Sequence, residues 1–356
     1  MAGIEILSYS KRMKPIVTFC EGLVSLKNER DNHKCLLIIE LDDIGENEAL
    51  DQMLRTEMKK RIKGDATFFK DKIVALIVKS HSEHFTKTFA KKCIYHINNL
   101  GGTFIGHPLV EITEGYQNFR TWQKIDPKPL ERICFEQIDQ LVKRLHSYQP
   151  LNKDKLHVLV LHAGYKEISN TLMLWDNIAN ELELYNQKKA ESVLSIDTLH
   201  VEEGKISDCY GCSFETCMYY AREKSCFYGG FVVEDLYPKL EKADIVVWIC
   251  PNYNDAISAK LMAVINRLTA LYRNMGFQDK YLLSVIVSGN SGSDSVARQL
   301  IGALNINKGF RLPAGFSIMA LANDPGDIKS AFDITHKVSS YVNTVIALIE
   351  ENIKKN

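Results

Sequence analysis

The feature that most limits what this chain can fold into is the alternation of short apolar runs with longer amphipathic segments. The runs are rich in β-branched residues and lack strict polar alternation, which is typical of strands covered on both faces of a parallel sheet. The longer segments between them predict the covering helices, so the chain is predicted to be an α/β protein. The predicted strands are Leu36–Leu41, Ile73–Lys79, Thr103–Glu111, His157–His162, Val193–His200, Ile245–Cys250, Leu282–Ser288 and Ala314–Ala320.

The length of 356 residues is enough for two domains of about 150 residues each. A periodic apolar segment predicts a helix over Leu130–Leu145, and the polar stretch from Ser147 to Lys155 leads directly into a strong strand. We therefore expect a smaller α/β domain over residues 1–150, without recognisable cofactor motifs, and a second domain over residues 151–356. A final helix is predicted from about Asp327 to Glu350, after the break at Pro325-Gly326.

The two predicted domains share one internal similarity. Lys72 and Gly101 bracket a strand and a helix, and Lys280 and Gly309 bracket a second such unit at the same separation. The first domain is thus either a degenerate copy of the second or a chance match between two α/β units.

Charge and hydropathy exclude several classes of protein. Lys plus Arg total 44 and Asp plus Glu total 44, so no field of one sign favours nucleic acid or a membrane surface. No apolar run approaches the roughly 20 residues that cross a bilayer, and the first thirty residues lack a secretory apolar core. We expect a cytoplasmic protein that binds neither nucleic acid nor membranes.

Three loops in the second half follow predicted strands and carry polar or small residues. Open α/β sheets bind ligands at the carboxyl ends of their strands, so these loops are candidate ligand sites. In the first loop, Ser169, Asn170 and Thr171 open a helix, and they either bind a phosphate or simply cap that helix. The other two loops are Pro251-Asn252-Tyr253-Asn254-Asp255 and Ser288-Gly289-Asn290-Ser291.

Four of the nine cysteines lie close together in the chain. Their spacing is Cys209-x2-Cys212-x4-Cys217-x8-Cys226. In a reducing compartment, four thiolates at short spacing are the ligand set of a [4Fe–4S] cluster or of a tetrahedral zinc ion. A third possibility is that the four cysteines are free or redox-active thiols.

Residues 156–325 resemble the NADPH-dependent FMN reductase group of the flavodoxin-like superfamily, and especially its cysteine-bearing iron-sulfur flavoprotein branch. The resemblance rests on the order of short motifs along the chain. They are Ser169-Asn170-Thr171, a cysteine segment after the second strand, Ala243-Asp244, Pro251-Asn252-Tyr253, Ser258-Ala259 and Arg267.

The resemblance implies a flavodoxin-like, doubly wound parallel sheet that binds FMN and acts as an NAD(P)H-dependent flavin oxidoreductase. Lys166, Ser169, Asn170 and Thr171 would hold the FMN phosphate, and the other two loops, Pro251–Asp255 and Ser288–Ser291, would surround the ring. Cys209, Cys212, Cys217 and Cys226 would ligate a [4Fe–4S] cluster.

The resemblance further implies that NADPH, NADH or a redox carrier protein supplies electrons, and that the protein is a homo-oligomer. No side chain is assigned as a general base, because hydride transfer to a flavin needs none. Two alternatives stay open at this point: a flavin- or metal-binding electron carrier or redox-responsive module without turnover, and a structural interaction protein that has lost the flavin.

Overall fold

The structure is a computed structural model that describes residues 3–25, 33–202 and 205–354. The chain divides into two compact units, Met1–Gln149 and Pro150–Asn356. Within the described ranges, no helix is both long and apolar enough to cross a membrane.

The amino-terminal unit contains a parallel sheet of four described strands that lie in chain order, β1-β2-β3-β4. Apolar residues fill its strands because helices cover both faces of the sheet. The elements are β1 (Glu5–Tyr9), α1 (Lys14–Ser25), β2 (Lys34–Glu40), α2 (Glu48–Ile62), β3 (Ile73–Lys79), α3 (Thr86–Asn99), β4 (Thr103–Ile112), α4 (Arg120–Gln123) and α5 (Leu130–Ser147).

The core of this unit follows from the alternation of side chains along its strands. Leu36 and Ile38 point to one face and pack with α1 and α5, where Ile16, Ile138 and Leu141 are fully or almost fully buried. The amphipathic segment predicted over Leu130–Leu145 is thus α5, which covers one face of this sheet.

The carboxyl-terminal unit contains a parallel sheet of five described strands in the order β6-β5-β7-β8-β9. Numbered within the unit, this order is 2-1-3-4-5, the order of flavodoxin-like folds, so the predicted fold class is confirmed. The elements are β5 (Leu156–His162), α6 (Asn170–Gln187), β6 (Leu194–His200), α7 (Phe214–Arg222), α8 (Tyr237–Lys242), β7 (Ile245–Pro251), α9 (Ala259–Met275), β8 (Tyr281–Ser288), α10 (Ser293–Leu300), β9 (Ser317–Leu321) and α11 (Ile334–Asn352).

The order of strands fixes where a ligand can enter this sheet. The chain leaves β5 in one direction to form β6, and later returns past β5 to place β7 on its other side. The helices that follow β5 and β7 therefore lie on opposite faces and leave a crevice between their first turns. Both loops singled out from the sequence at these two strands line that crevice.

Three sequence predictions of local structure need correction. Strand β1 was not predicted, because Glu5–Tyr9 is short and mixes polar with apolar residues at the edge of the sheet. The strand predicted from Ala314 begins at Ser317, because Gly315 turns the chain with φ of 61°. The helix predicted from Asp327 is two pieces, a 3-10 turn over Asp327–Ser330 and then α11, with Asp333 at a left-handed φ of 56° between them.

The internal similarity between the two units is local. Asn98 and Asn305 are both buried, and each donates a side-chain hydrogen bond to the main chain just past the following glycine turn, to Gly102 O and Phe310 O. The order of the described strands nevertheless differs between the two sheets, 1-2-3-4 against 2-1-3-4-5. The similarity therefore covers one strand–helix–strand unit, and it does not extend to the order of the described strands.

Candidate functional site

The first loop of the site joins β5 to α6 and folds tightly on itself. Ser169 is the N-cap of α6 and accepts a hydrogen bond from Leu172 N at 3.3 Å. A Cβ on Gly164 would lie 2.9 Å from Ser169 Oγ, so a side chain at this position would displace the hydroxyl that caps α6. The first turn of an 18-residue helix thus faces the crevice and offers free backbone N–H groups to an anion.

Lys166 and Tyr165 are exposed in this loop, and Lys260 Nζ lies 5.6 Å from the centre of the Tyr165 ring. Two lysines thus bring positive charge to the mouth of the loop. They are the cations that an anionic ligand would meet first.

The side chain of Asn170 has a role that the sequence did not predict. Its Nδ2 donates to Asp324 O at 2.8 Å, and its Oδ1 accepts from Gly326 N at 3.0 Å and Ile328 N at 3.3 Å. The amide is therefore used up in tying the first loop to residues 324–328, and only the backbone of Asn170 is left for a ligand. Thr171 is 2% exposed and lies in the first turn of α6.

The second loop, after β7, holds two consecutive residues in a left-handed conformation. Asn254 has φ of 54° and Asp255 has φ of 57°, a costly arrangement for residues with a side chain. The Asp255 carbonyl accepts hydrogen bonds from Ser295 Oγ at 3.1 Å and from Gln299 Nε2 at 2.7 Å. These two residues of α10 thus hold the second loop in its strained form.

The second and third loops interlock through Asn252. Its Nδ2 lies 3.0 Å from Ser288 Oγ, 2.8 Å from Ser291 O and 3.3 Å from Asp255 Oδ1. Its Oδ1 is buried and has no hydrogen-bond partner among the described residues. An orphaned buried acceptor at a strand end is a position where a ligand N–H would be favoured.

The third loop, after β8, contributes one internal residue and three exposed ones. Ser288 is 1% exposed, and its Oγ lies 2.6 Å from Ser293 Oγ. Its hydroxyl therefore supports the loop from below, while Gly289, Asn290 and Ser291 are exposed. In the second loop Tyr253 is 60% exposed, so its aromatic ring is accessible to a ligand in the crevice.

The cysteine segment, defined as residues 205–231, leaves the end of β6 and lies along α9. Arg267 Nη2 donates to Gly229 O at 2.7 Å, Arg273 Nη1 donates to Phe214 O at 3.3 Å, and Asn274 Nδ2 donates to Ala221 O at 3.0 Å. Asn266 Nδ2 also donates to Asp208 Oδ1 at 2.9 Å. Helix α9 begins directly after the second loop, so it connects the crevice to this segment.

Arg267 is a buried cation that the sequence reading did not single out for a role. It is 3% exposed, and its Nε has no hydrogen-bond partner among the described residues. The signal was present in the sequence, because Arg267 interrupts an apolar stripe formed by Val264, Leu268 and Leu271. A buried guanidinium of this kind favours an anion nearby.

The four predicted metal ligands lie in one neighbourhood. Burial raises the pKa of Cys217, and the other three cysteines of the segment raise it further while Arg273 opposes the shift. Cys209 is exposed, whereas Cys212, Cys217 and Cys226 are partly buried. In the ranges that the structure covers, no three His, Cys, Asp or Glu side chains stand in an arrangement that could hold a metal ion.

Lys308 adds a further cation to this neighbourhood. Its Nζ donates to Thr269 Oγ1 at 2.7 Å. Burial, reinforced by the charge of Arg273, lowers the pKa of Lys308 to about 8, while Cys209 and Cys217 act in the opposite direction. Anionic sulfur beside Lys308 would therefore stabilise its protonated form.

Exposed aromatic rings surround the same segment. Tyr210 and Phe227 stack with their centroids 4.7 Å apart, and they are 65% and 45% exposed. The guanidinium of Arg267 lies 5.6 Å from the centre of the Tyr228 ring. The segment thus combines thiols, cations and accessible rings on one surface.

Comparison with known proteins agrees with the fold and defines the class. The family model described as NADPH-dependent FMN reductase matches residues 156–324, which confirms the resemblance seen in the sequence. The carboxyl-terminal unit is thus an NAD(P)H-dependent flavin oxidoreductase domain by class. The match covers just under half of the chain, and within that class residues 156–324 are similar to NADPH-dependent FMN reductases. Among curated proteins, none matches the chain.

Solved structures that resemble the chain include an azoreductase from Bacillus anthracis str. Sterne, with 12% identity, coverage of 55% of this chain and 99% of that one, and a TM-score of 0.39. An NAD(P)H:quinone oxidoreductase from Methanothermobacter marburgensis has 14% identity, coverage of 54% and 96%, and a TM-score of 0.38. The structure of RosB with a bound intermediate has 16% identity, coverage of 55% and 79%, and a TM-score of 0.43. At these identities and TM-scores, the three structures carry no conclusion about the function of this chain.

Proposed function

We propose that the protein is an FMN-dependent oxidoreductase that takes electrons from NADPH or NADH and passes them to an acceptor. The observation that carries the proposal is the crevice between the loops after β5 and β7, at the reversal of strand order, in a unit that matches the FMN reductase family.

The residues of the crevice fit a flavin phosphate at one end and a polar ring at the other. The first turn of α6 and Lys166 would bind the phosphate, with Ser169 and Asn170 holding the loop in shape rather than donating through their side chains. The buried Oδ1 of Asn252 would accept a hydrogen bond from a ring N–H, and Tyr253 would shield the ring from water. Bound FMN would supply the chemistry, because it accepts a hydride and releases electrons singly or in pairs.

The direct test is an absorption spectrum of freshly purified protein under anaerobic conditions, followed by addition of NADPH. We expect about one FMN per chain, bleached by NADPH. As a matched pair of variants, Asn252→Leu removes the orphaned acceptor, whereas Asn274→Leu removes an amide that donates to Ala221 O in the cysteine segment. FMN content that is the same in both variants would contradict the assignment of Asn252, and absence of flavin after reconstitution would contradict the function.

For the cysteine segment we propose a redox-active metal site, with a [4Fe–4S] cluster favoured over zinc. The support is chemical: four thiols share one neighbourhood with Arg267, Arg273 and Lys308, and these cations would balance the negative charge of four thiolates. Ligation would require Cys209, Cys212, Cys217 and Cys226 to converge further than they do without metal.

Iron, sulfide and zinc analysis tests the metal proposal independently of the flavin. The double variant Cys209→Ser with Cys212→Ser should lose iron, while Cys20→Ala, which changes a buried cysteine of the other unit, should retain it. Unchanged iron in the double variant would contradict the site. Zinc without iron would make the segment structural, and flavin that NADPH cannot bleach would favour the second candidate function, an electron carrier that exchanges electrons with a redox protein.

We also propose that the protein is a homo-oligomer, as the resemblance implies. Light scattering coupled to size-exclusion chromatography gives its mass directly, and a monomer at micromolar concentration would contradict this part of the proposal.

A further inference from the structure

Two histidines occupy the ends of neighbouring strands directly beside the first loop. His162 is the last residue of β5 and His200 the last residue of β6, and the two are register partners in the sheet. Their rings are stacked, with centroids 4.5 Å apart and planes inclined by 6°. Neither residue was singled out from the sequence, because only the strand register brings them together.

His162 is a buried polar side chain whose hydrogen bonding is incomplete. It is 5% exposed, and its Nδ1 has no hydrogen-bond partner among the described residues. Gly164 of the first loop lies close enough for its backbone to affect the charge of the ring. The ring therefore lies beside the loop that would hold the phosphate.

The charged neighbours of this pair are few. His200 on β6 and Lys166 in the first loop act on His162, Glu202 interacts with His200, and the register partner on β7 is the apolar Ile249. Burial, followed by the charges of His200 and Lys166, lowers the pKa of His162 to about 4. The imidazole is therefore neutral near neutral pH, and the cationic neighbours His200 and Lys166 disfavour its protonated form.

We propose that the stacked His162–His200 pair is a proton-linked part of the phosphate-binding site, so that a ligand with a terminal phosphate monoester binds with uptake of about one proton. This inference rests on the proposed function. It goes further by making retention of the phosphorylated flavin depend on pH while binding of the unphosphorylated flavin does not.

The physical reason is charge compensation. A phosphate monoester carries close to two negative charges above its second pKa of about 6. Placed at the first turn of α6, these charges oppose the repulsion that His162 experiences from His200 and Lys166, and so favour a protonated ring. A proton taken up on binding makes the dissociation constant fall as pH falls, by up to tenfold per pH unit.

The test compares FMN with riboflavin, which has the same ring and ribityl chain but no phosphate. Dissociation constants are measured by quenching of flavin fluorescence between about pH 8 and about pH 6.5, where the free phosphate is mostly dianionic. Wild type, His200→Gln, His162→Gln and the control His157→Gln are compared. His157 is on the same strand but exposed at its other end, where its Nδ1 lies 2.7 Å from Ser195 Oγ.

We expect FMN to bind about 10–30-fold more tightly at the lower pH in wild type and in His157→Gln, with riboflavin unchanged. His162→Gln should abolish the pH dependence for FMN, because it removes the ring that takes up the proton. His200→Gln removes a repulsion on His162, so it should retain the pH dependence. The comparison of FMN with riboflavin in wild type remains informative if the buried His162→Gln fails to fold. Equal pH dependence in His162→Gln and His157→Gln, or FMN binding that does not vary with pH in wild type, would overturn the inference and leave FMN binding intact. If wild type binds neither flavin at any pH, the proposed function fails and the inference fails with it.

Discussion

Replacing Gly292 by alanine tests whether the second and third loops form one interlocked unit. Gly292 has φ of 84° and precedes α10. A Cβ at this position would lie 1.8 Å from Asp255 Oδ1 and 3.0 Å from Asn252 Nδ2. The substitution must therefore push Asp255 and Asn252 out of the positions that define the ring end of the crevice.

Two costs are expected in the Gly292→Ala variant. A left-handed conformation costs a residue with a side chain about 1–2 kcal/mol. Displacement of Asp255 and Asn252 removes hydrogen bonding worth about 0.5–1.5 kcal/mol, and a loss of that size in the ring site corresponds to about 2–13-fold weaker FMN binding.

Gly276→Ala is the matched control in the same unit. Gly276 has φ of 65°, but no atom lies within 4 Å of a Cβ built there. Its ψ of 175° lies in a region almost confined to glycine, so the variant should lose at least as much stability, about 1–3 kcal/mol, without touching the crevice. Urea unfolding followed by tryptophan fluorescence measures stability, and fluorescence quenching measures FMN affinity. Wild-type FMN affinity in Gly292→Ala would refute the interlocked geometry, as would equal loss of affinity in both variants.

Three further predictions follow from contacts elsewhere in the molecule. Asn170→Ala removes three hydrogen bonds to residues 324–328, so it should lower the free energy of unfolding by roughly 2–4 kcal/mol in urea titrations, whereas a value near zero would show that the bonds are not needed. Lys308→Met should raise the free energy of unfolding near neutral pH by about 1–2 kcal/mol, because the pKa of Lys308 is lowered on folding. This gain should shrink as the pH rises from the lowered pKa of Lys308 towards its ordinary pKa. A gain that persists at high pH contradicts the reasoning. In the amino-terminal unit, burial alone would raise the pKa of Glu40, but hydrogen bonds from Ser10 and His81 outweigh it and keep this pKa low. Glu40→Gln should therefore lower stability at neutral pH and have little effect in acid, which thermal melts across pH can test. A loss of stability that does not depend on pH would point to packing instead.

Sequence reasoning located the strands and the crevice because both depend on local patterns. In the carboxyl-terminal unit β5, β7, β8 and β9 are mostly apolar runs, whereas the edge strand β6 mixes polar with apolar residues. The order of the five strands follows from the family resemblance and the reversal rule for doubly wound sheets. Predicted strand ends are within a few residues of those in the structure, apart from the start at Ser317, where a glycine turn shortens β9.

The roles of single side chains were less accessible, because they depend on which distant residues meet. Asn170 reads as a phosphate ligand or a cap from sequence, but its amide bonds to a loop more than 150 positions away. Ser288 reads as a ring contact, but its hydroxyl supports the loop from within. The stacked His162 and His200 depend on register between parallel strands, which no local pattern encodes.

The way α9 holds the cysteine segment has an evolutionary consequence. Arg267, Arg273 and Asn274 donate to main-chain carbonyls of that segment, at Gly229, Phe214 and Ala221. A carbonyl is present whatever residue occupies the position, so substitutions there leave the attachment chemically intact. Cysteines and aromatic rings in this segment can therefore be gained, lost or respaced among descendants of this chain without detaching it from the flavin unit.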